Sequence, residues 1–305
     1  MIAVQVQNIT KKFLQNKSEV IALNDISFDV KAGELFGVIG PDGAGKTTLF
    51  RILTSLILAD SGLAKVDGFD VVSQYKDIRK RVGYMPGRFS LYQDLTVEEN
   101  LNFFATIFNT SITENYELIK DIYEQIAPFK DRRAGQLSGG MKQKLALSCA
   151  LIHRPSVLFL DEPTTGVDAV SRKEFWDMLK RLKTQGITIL VSTPYMDEAS
   201  LCDRIALMQK GRLLGIDTPI EILNQFNNKL WAIKATEMYS LLLALRSDPT
   251  INHAYPFGEY HHVIANDENG LKLLAKKFNA ELKIVQPDIE DCFIALMQDE
   301  TLSAK

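Results

Sequence analysis

At 305 residues, with 46% apolar and 24% charged residues, the chain has room for about two globular domains and a composition that excludes collagen-like, coiled-coil and disordered classes. The 35 Lys and Arg against 38 Asp and Glu leave a net charge of -3, so no global basic field favours nucleic acid, and no nucleic-acid partner is expected. Cys149, Cys202 and Cys292 stand far apart without a CxxC pair, which argues against a disulfide framework or a zinc site. The N-terminal MIAVQVQNITKKF lacks the basic, apolar and small-residue regions of a signal peptide, and no run reaches the roughly 18 apolar residues of a span. A cytoplasmic chain is expected, with any membrane spans supplied by other chains.

Residues 2–9 and 20–31 read as strands with apolar alternation, separated by the turn-prone LQNKSE, and ELFGVIG at 34–40 is the short apolar run of a buried strand. A glycine-rich turn follows at once, and from Lys46 the pattern TTLFRILTSLIL has helical spacing. Strand, loop and helix in this order open a phosphate-binding α/β domain. Residues 96–150 are mostly helical in pattern and interrupt the core, which resumes with VLFLD at 157–161 and ITILVST at 187–193. Between these two strands SRKEFWDMLKRLKTQG reads as an amphipathic helix ended by Gly186, giving a parallel β-helix-β unit. The first domain is expected to cover 1–223, with a helical part at about 85–150 and a polar linker, NQFNNK, at 224–229. Residues 230–305 alternate short strands and helices and predict a small α+β domain.

Residues 40–48, GPDGAGKTT, match G-x-x-x-x-G-K-[ST] between the strand and helix that this motif requires. Gly40, Pro41, Asp42, Gly43, Ala44 and Gly45 can wrap phosphates with inward N–H groups. Lys46 then neutralises β- and γ-phosphate charge, and the Thr47 hydroxyl, with Thr48 beside it, faces Mg²⁺. VLFLDEP at 157–163 is an apolar strand ending in two carboxylates. Opposite such a loop, Asp161 would hold Mg²⁺ through water and Glu162 would polarise the attacking water as the catalytic group. In LSGGMKQK at 137–144, Ser138 can cap a helix whose first residues, Gly139 and Gly140, leave N–H groups free at its positive end.

Together these three motifs resemble the ATP-binding cassette family over residues 1–223. The segments YMPGRFSLYQDLTVEENL (84–101) and STPYMDEASLCDRIALMQKGRLLGID (192–217) are similar to the ATPase subunits of ABC-2 type multidrug and antibiotic exporters. The tail from 230, ending PDIEDCFIAL, resembles the C-terminal extension of that branch. The resemblance implies an ABC ATPase fold with a mixed sheet core, an antiparallel β subdomain and a helical subdomain. It also implies a head-to-tail dimer that sandwiches ATP and Mg²⁺ between the phosphate loop of one subunit and Ser138, Gly139 and Gly140 of the other. Asp168, in GVDAVSR, matches the acid at the dimer seam, and Phe13, in TKKFLQN, falls where the family stacks an aromatic on adenine. A core aromatic at a strand end is the alternative reading of Phe13. The family's partners are integral membrane permease subunits, contacted through the region around 84–130, which places the chain peripherally on the inner face of the cell membrane.

Two positions depart from the family. Where it has a glutamine after YMP, this chain has Gly87, and where it has a histidine after ST, it has Pro194, without a side-chain donor or acceptor. Gln93 comes too late to replace the one, and His153, His253, His261 and His262 are remote from the other and read as structural or surface residues. Losing a polar group that acts on the transferred phosphoryl commonly costs on the order of 100 to 10,000 fold in turnover. MgATP binding with slow hydrolysis at this chain's own loop is therefore expected. Because Ser138, Gly139 and Gly140 are intact, a heterodimer in which they complete a competent partner's site is favoured over a homodimer. A non-catalytic scaffold subunit is the runner-up, and a homodimer that tolerates both changes remains open. Soluble cassettes acting on ribosomes or DNA usually carry tandem cassettes or a coiled-coil insert, and this chain has neither.

Overall fold

The computed structural model describes residues 1–15, 18–87 and 91–303. The chain divides into two compact units, one formed by Met1–Pro219 with the end of the chain from Leu296, the other by Ile220–Ala295.

In the first unit, β1 (Ile2–Gln15) and β2 (Ser18–Lys31) form an antiparallel hairpin. After them come β3 (Leu35–Ile39), α1 (Lys46–Leu53), β4 (Ser61–Val66), β5 (Phe69–Asp70), α2 (Tyr75–Arg81) and β6 (Val82–Met85). The hairpin strands run beyond the expected 2–9 and 20–31, taking up most of LQNKSE, while residues 16–17 lie outside the described set. This outer arm is solvated on both faces at Lys12–Leu14 and Ser18–Ile21, so its pairing needs no apolar alternation and leaves none in the sequence.

The helical insert comprises α3 (Val97–Ile107), α4 (Tyr116–Tyr123) and α5 (Gly139–Leu151). Thr96 and Glu99 close a capping box on α3: the Glu99 N–H donates to Thr96 Oγ1 at 3.1 Å and the Thr96 N–H to the Glu99 carboxylate at 2.8 Å. The core resumes with β7 (Val157–Asp161), α6 (Ala169–Thr184), β8 (Thr188–Thr193), β9 (Arg204–Gln209) and β10 (Arg212–Asp217), and α7 (Pro219–Asn224) begins at the boundary between the units. One sheet has the order β2-β1-β4-β5 and is antiparallel; the other has the order β10-β9-β3-β8-β7-β6 and is parallel from β9 to β6.

The parallel strands are buried along their whole length at β3, β7 and β8, as covering by helices on both faces requires. One face packs on α1, where Phe50 meets Phe159 edge to face at 5.6 Å between ring centroids. The same core takes in Val4, Val6, Ile26 and Val30 from the antiparallel sheet. Helix α6 lies on β3 and β8 and buries Phe175, Trp176, Met178 and Leu179. Full burial of each such side chain stabilises the fold by about 1.5–3 kcal/mol.

The second unit contains β11 (Leu230–Lys234), α8 (Met238–Ser247), β12 (Ile251–Phe257), β13 (Tyr260–Ala265), α9 (Glu268–Lys277), β14 (Glu281–Val285) and the start of α10 (Ile289–Ser303). Its antiparallel sheet, in the order β12-β13-β11-β14, packs Trp231, Ile233 and Val263 against Leu241, Leu245 and Leu271 of α8 and α9. Alternate strand residues face the other way and are buried too: His262 Nδ1 donates to Asp291 Oδ1 of α10 at 2.7 Å, and the Tyr255 hydroxyl donates to the same carboxylate oxygen at 2.7 Å. His261 Nε2 donates to the Met238 carbonyl at 2.8 Å. The adjacent histidines thus serve opposite faces of this sheet as structural groups.

Candidate nucleotide site

Parallel pairing brings the carboxyl ends of four strands to one edge of the sheet. The register sets Ile39 beside Thr193, Asp161 beside Ser192 and Met85 beside Leu160. The loops leaving β3, β6, β7 and β8 therefore converge where an open α/β sheet holds its ligand.

The loop after β3 depends on its glycines. A side chain at Gly40 would place Cβ 2.1 Å from the Met208 carbonyl oxygen, and Gly43 and Gly45 hold φ of +78° and +106°, a region that glycine occupies without penalty. The space around Gly43 is open, and Asp42 is exposed. Helix α1 begins at Lys46, so free N–H groups and the positive end of the helix face the loop. Lys46 is 3% exposed. Its ammonium donates to the carbonyls of Gly40 at 2.7 Å and Pro41 at 3.0 Å and pairs with Glu162 Oε1 at 3.2 Å.

Thr47 Oγ1 donates to Asp161 Oδ1 at 3.1 Å, and Ser192 Oγ donates to the same oxygen at 2.6 Å. Glu162 turns away from the strand with φ +51°. Its N–H donates both to the Ser192 carbonyl at 3.0 Å and to Ser192 Oγ at 3.1 Å. Ser192 thus fixes both carboxylate residues, a task the sequence did not announce, because a serine at a strand end has no distinguishing pattern. Thr47 and Asp161 are hard oxygen donors at a separation suited to Mg²⁺, which takes one or two protein ligands beside phosphate oxygens. Among the described residues no cluster of three or more His, Cys, Asp or Glu could hold a metal without such oxygens. The cradle, cation and oxygen donors fit a magnesium-bound polyphosphate.

Around this group lies a cavity of about 470 Å³ lined by Thr47, Arg51, Tyr84, Pro86, Gly87, Asp161 and Glu162. A Cβ at Gly87 would stand 3.0 Å from the Asp161 carbonyl oxygen, so the β6 loop approaches the β7 turn more closely than a larger residue comfortably allows. Residues 88–90 of the YMPGRFSLYQDLTVEENL segment lie outside the described set. Pro194 follows Thr193, whose hydroxyl accepts from the Tyr195 N–H at 3.1 Å and donates to Glu198 Oε2 at 2.5 Å. Thr164 donates to the other Glu198 oxygen at 2.7 Å. Glu198 is 1% exposed and so fastens the loop after β8 to the turn that follows Glu162.

A second group forms where α5 and α6 begin. Ser138 accepts from the Met141 N–H at 3.4 Å, a long cap, while Ser138 and Gly139 remain exposed. A side chain on Gly140 would meet Ser171 Oγ at 2.6 Å, so only glycine lets the two helix starts touch. Asp168 caps α6, accepting from Val170 N at 3.1 Å and Ser171 N at 3.0 Å; the Ser171 bond leads in holding its carboxyl below the usual range. Lys46, Thr47, Asp161 and Glu162 form one constellation, and Ser138, Gly139, Gly140 and Asp168 another. Phe13 belongs to neither: it is 43% exposed on the hairpin arm with the Lys11 ammonium 5.4 Å from its ring centre, which corrects the alternative of a core aromatic.

A mostly apolar groove of about 400 Å³ lies next to the first constellation, between β6 and helices α3 and α5, and Tyr84, Pro86 and Gly87 line it as well. His153 closes one side, stacked on Phe108 at 3.7 Å, with Nε2 donating to the Val82 carbonyl at 3.0 Å. Among the described residues no helix is long and apolar enough to cross a membrane.

The family model described as "ABC transporter" matches residues 23–165. The doxorubicin resistance ATP-binding protein DrrA of Mycobacterium tuberculosis is 31% identical over a 318-residue alignment that takes in 99% of this chain and 96% of that one. The chain belongs to the ABC transporter ATP-binding proteins. The probable multidrug ABC transporter ATP-binding protein YbhF of Escherichia coli K12 is 40% identical over 227 residues, 74% of this chain and 39% of YbhF, so the chain spans well under half the length of that relative. A solved ATP-binding subunit of an ABC transporter superposes with a TM-score of 0.66 at 26% identity, over 73% of this chain and 93% of that one. The fold is accordingly that of an ABC ATPase cassette, α/β with a mixed sheet core.

Proposed function

We propose that this chain is the ATP-binding subunit of an ABC-type exporter of the multidrug branch, binding MgATP at a dimer interface to drive a separate membrane permease. The observation that carries this reading is the convergence of Lys46, Thr47, Asp161 and Glu162 on one loop edge, together with Ser138 and Gly139 exposed at the start of α5. Gly40 to Thr48 cradle the phosphates, Thr47 and Asp161 serve Mg²⁺, Glu162 orients water, and Phe13 stacks on the adenine. Bound Mg²⁺ neutralises charge on the β- and γ-phosphates. Lys46, whose ammonium is held by two carbonyls and Glu162, exchanges these partners for phosphate oxygens.

Gly87 and Pro194 leave this chain's own site without two polar groups that its family uses on the transferred phosphoryl, so hydrolysis there is slow. Ser138, Gly139, Gly140 and Asp168 complete the site of a second ABC ATPase subunit, and a heterodimer is the preferred assembly. Permease helices dock at the apolar groove beside β6, α3 and α5, which holds the chain on the inner face of the cell membrane. Residues 230–305 are its C-terminal extension, following the linker at 224–229. If Gly87 and Pro194 abolish rather than slow hydrolysis, the same geometry describes a non-catalytic scaffold. Native mass spectrometry of the membrane complex purified through a tag on this chain tests the assembly. The expected particle holds one copy of this chain, one different ABC ATPase and the permease; two copies of this chain on one permease would contradict the heterodimer.

A further inference from the structure

Tyr84 lies on β6 beside Phe159 of β7, with its ring packed against the main core. Its hydroxyl oxygen is buried and, beside an Arg51 guanidinium that can only donate to it, the phenol's own hydrogen has no acceptor among the described residues. Burial, followed by the negative charge of Asp161, pushes the phenol up to about 12, with Arg51 nearby pulling the other way. The group is therefore a protonated donor at any physiological pH. A buried donor without an acceptor costs about 1–3 kcal/mol, and such a group calls for a reason.

Within the protein, Asp161 Oδ1 is engaged by Thr47 and Ser192, and Glu162 Oε1 by Lys46. Tyr84 also lines the cavity that Thr47, Asp161 and Glu162 share, in the same wall as Gly87, which contributes no side chain. An anion entering that cavity would offer the hydroxyl an acceptor.

We propose that the Tyr84 hydroxyl donates a hydrogen bond to the terminal phosphate of bound MgATP, directly or through one water, and so supplies the polar contact that Gly87 cannot. This rests on the nucleotide reading above. Because Tyr84 also lines the neighbouring apolar groove, the contact ties phosphate occupancy to a wall of that groove.

Tyr84→Phe removes only the hydroxyl. Calorimetric titration of the full chain with MgATP and with MgADP, and thermal unfolding without nucleotide, are compared with wild type. The expected result is a loss of about tenfold in MgATP affinity, MgADP affinity within about twofold, and an unliganded melting temperature equal to or above wild type, since an unpaired buried hydroxyl has gone. Equal losses for both nucleotides, or a lower melting temperature, would mean that Tyr84 acts through packing and would overturn the contact. Unchanged MgATP affinity would also overturn it. Failure of wild type to bind MgATP would instead remove the nucleotide reading on which it rests.

Discussion

Histidine 153 shows how burial at a single residue sets a pH response. Desolvation pulls its imidazole down from 6.5 to about 4, only partly offset by the bond to the Val82 carbonyl, and Nδ1 is buried without a partner. The folded state thus favours the neutral ring more than the unfolded state does. Stability from this group is complete above pH 6.5 and declines as pH falls towards about 4, because the unfolded chain then binds the proton first. The loss attributable to it is at most about 3 kcal/mol. Urea unfolding between these pH values checks the sign: in His153→Gln, which keeps a donor, the decline should be shallower than in wild type. An unchanged profile would place the acid sensitivity elsewhere. The phosphate-loop residues were legible in sequence because their backbone geometry dictates identity: only glycine tolerates the contact at Gly40 and the φ at Gly45. Ser192, Glu198 and Tyr84 were not, since each is an ordinary residue type whose neighbours in the site come from distant segments.

At the scale of elements, the starts of α5 and α6 behave as one unit. Gly140 faces Ser171 with no room for a methyl group, while Asp168 fixes the first turn of α6 through Val170 and Ser171. Gly140→Ala should therefore destabilise the fold by about 1–3 kcal/mol through overpacking, seen as a lower melting temperature. Adding Ser171→Gly should recover part of the loss by removing the opposing atoms. A double variant no better than the single one would show that the helices do not meet as described. The strands β3, β7 and β8 were readable as continuous apolar runs, and α6 as an amphipathic stretch, because each is a local pattern. The outer arm of β1 and β2 was shorter in the sequence reading, for its solvated faces carry no pattern. The order of strands in each sheet depends on long-range pairing, which no local pattern conveys, so the meeting of the ends of β6, β7 and β8 beside α1 was expected from the motifs and the family resemblance rather than from any strand's own pattern.

For the molecule as a whole, the proposed function separates holding a nucleotide from turning it over. The residues proposed to hold phosphate and Mg²⁺ are mutually bonded, from the Lys46 ammonium to the Thr47, Asp161 and Ser192 set. The parts that would act on the transferred phosphoryl are a glycine pressed against the Asp161 carbonyl and a proline on a loop fastened by Glu198. Binding depends on the first group and turnover on the second. The close approach at Gly87 also makes the two reversions unequal: Gly87→Gln must shift the β7 turn by a few tenths of an ångström, whereas Pro194→His restores a donor at the end of β8.

Steady-state ATP turnover by the purified chain, measured alongside MgATP affinity, for wild type, Pro194→His and the Pro194→His, Gly87→Gln pair, tests the separation most directly. The account predicts MgATP binding of similar strength in all three, with slow turnover in wild type that rises by about 100-fold or more on reversion. Brisk turnover by the unaltered chain would contradict it and point to an ordinary homodimeric motor.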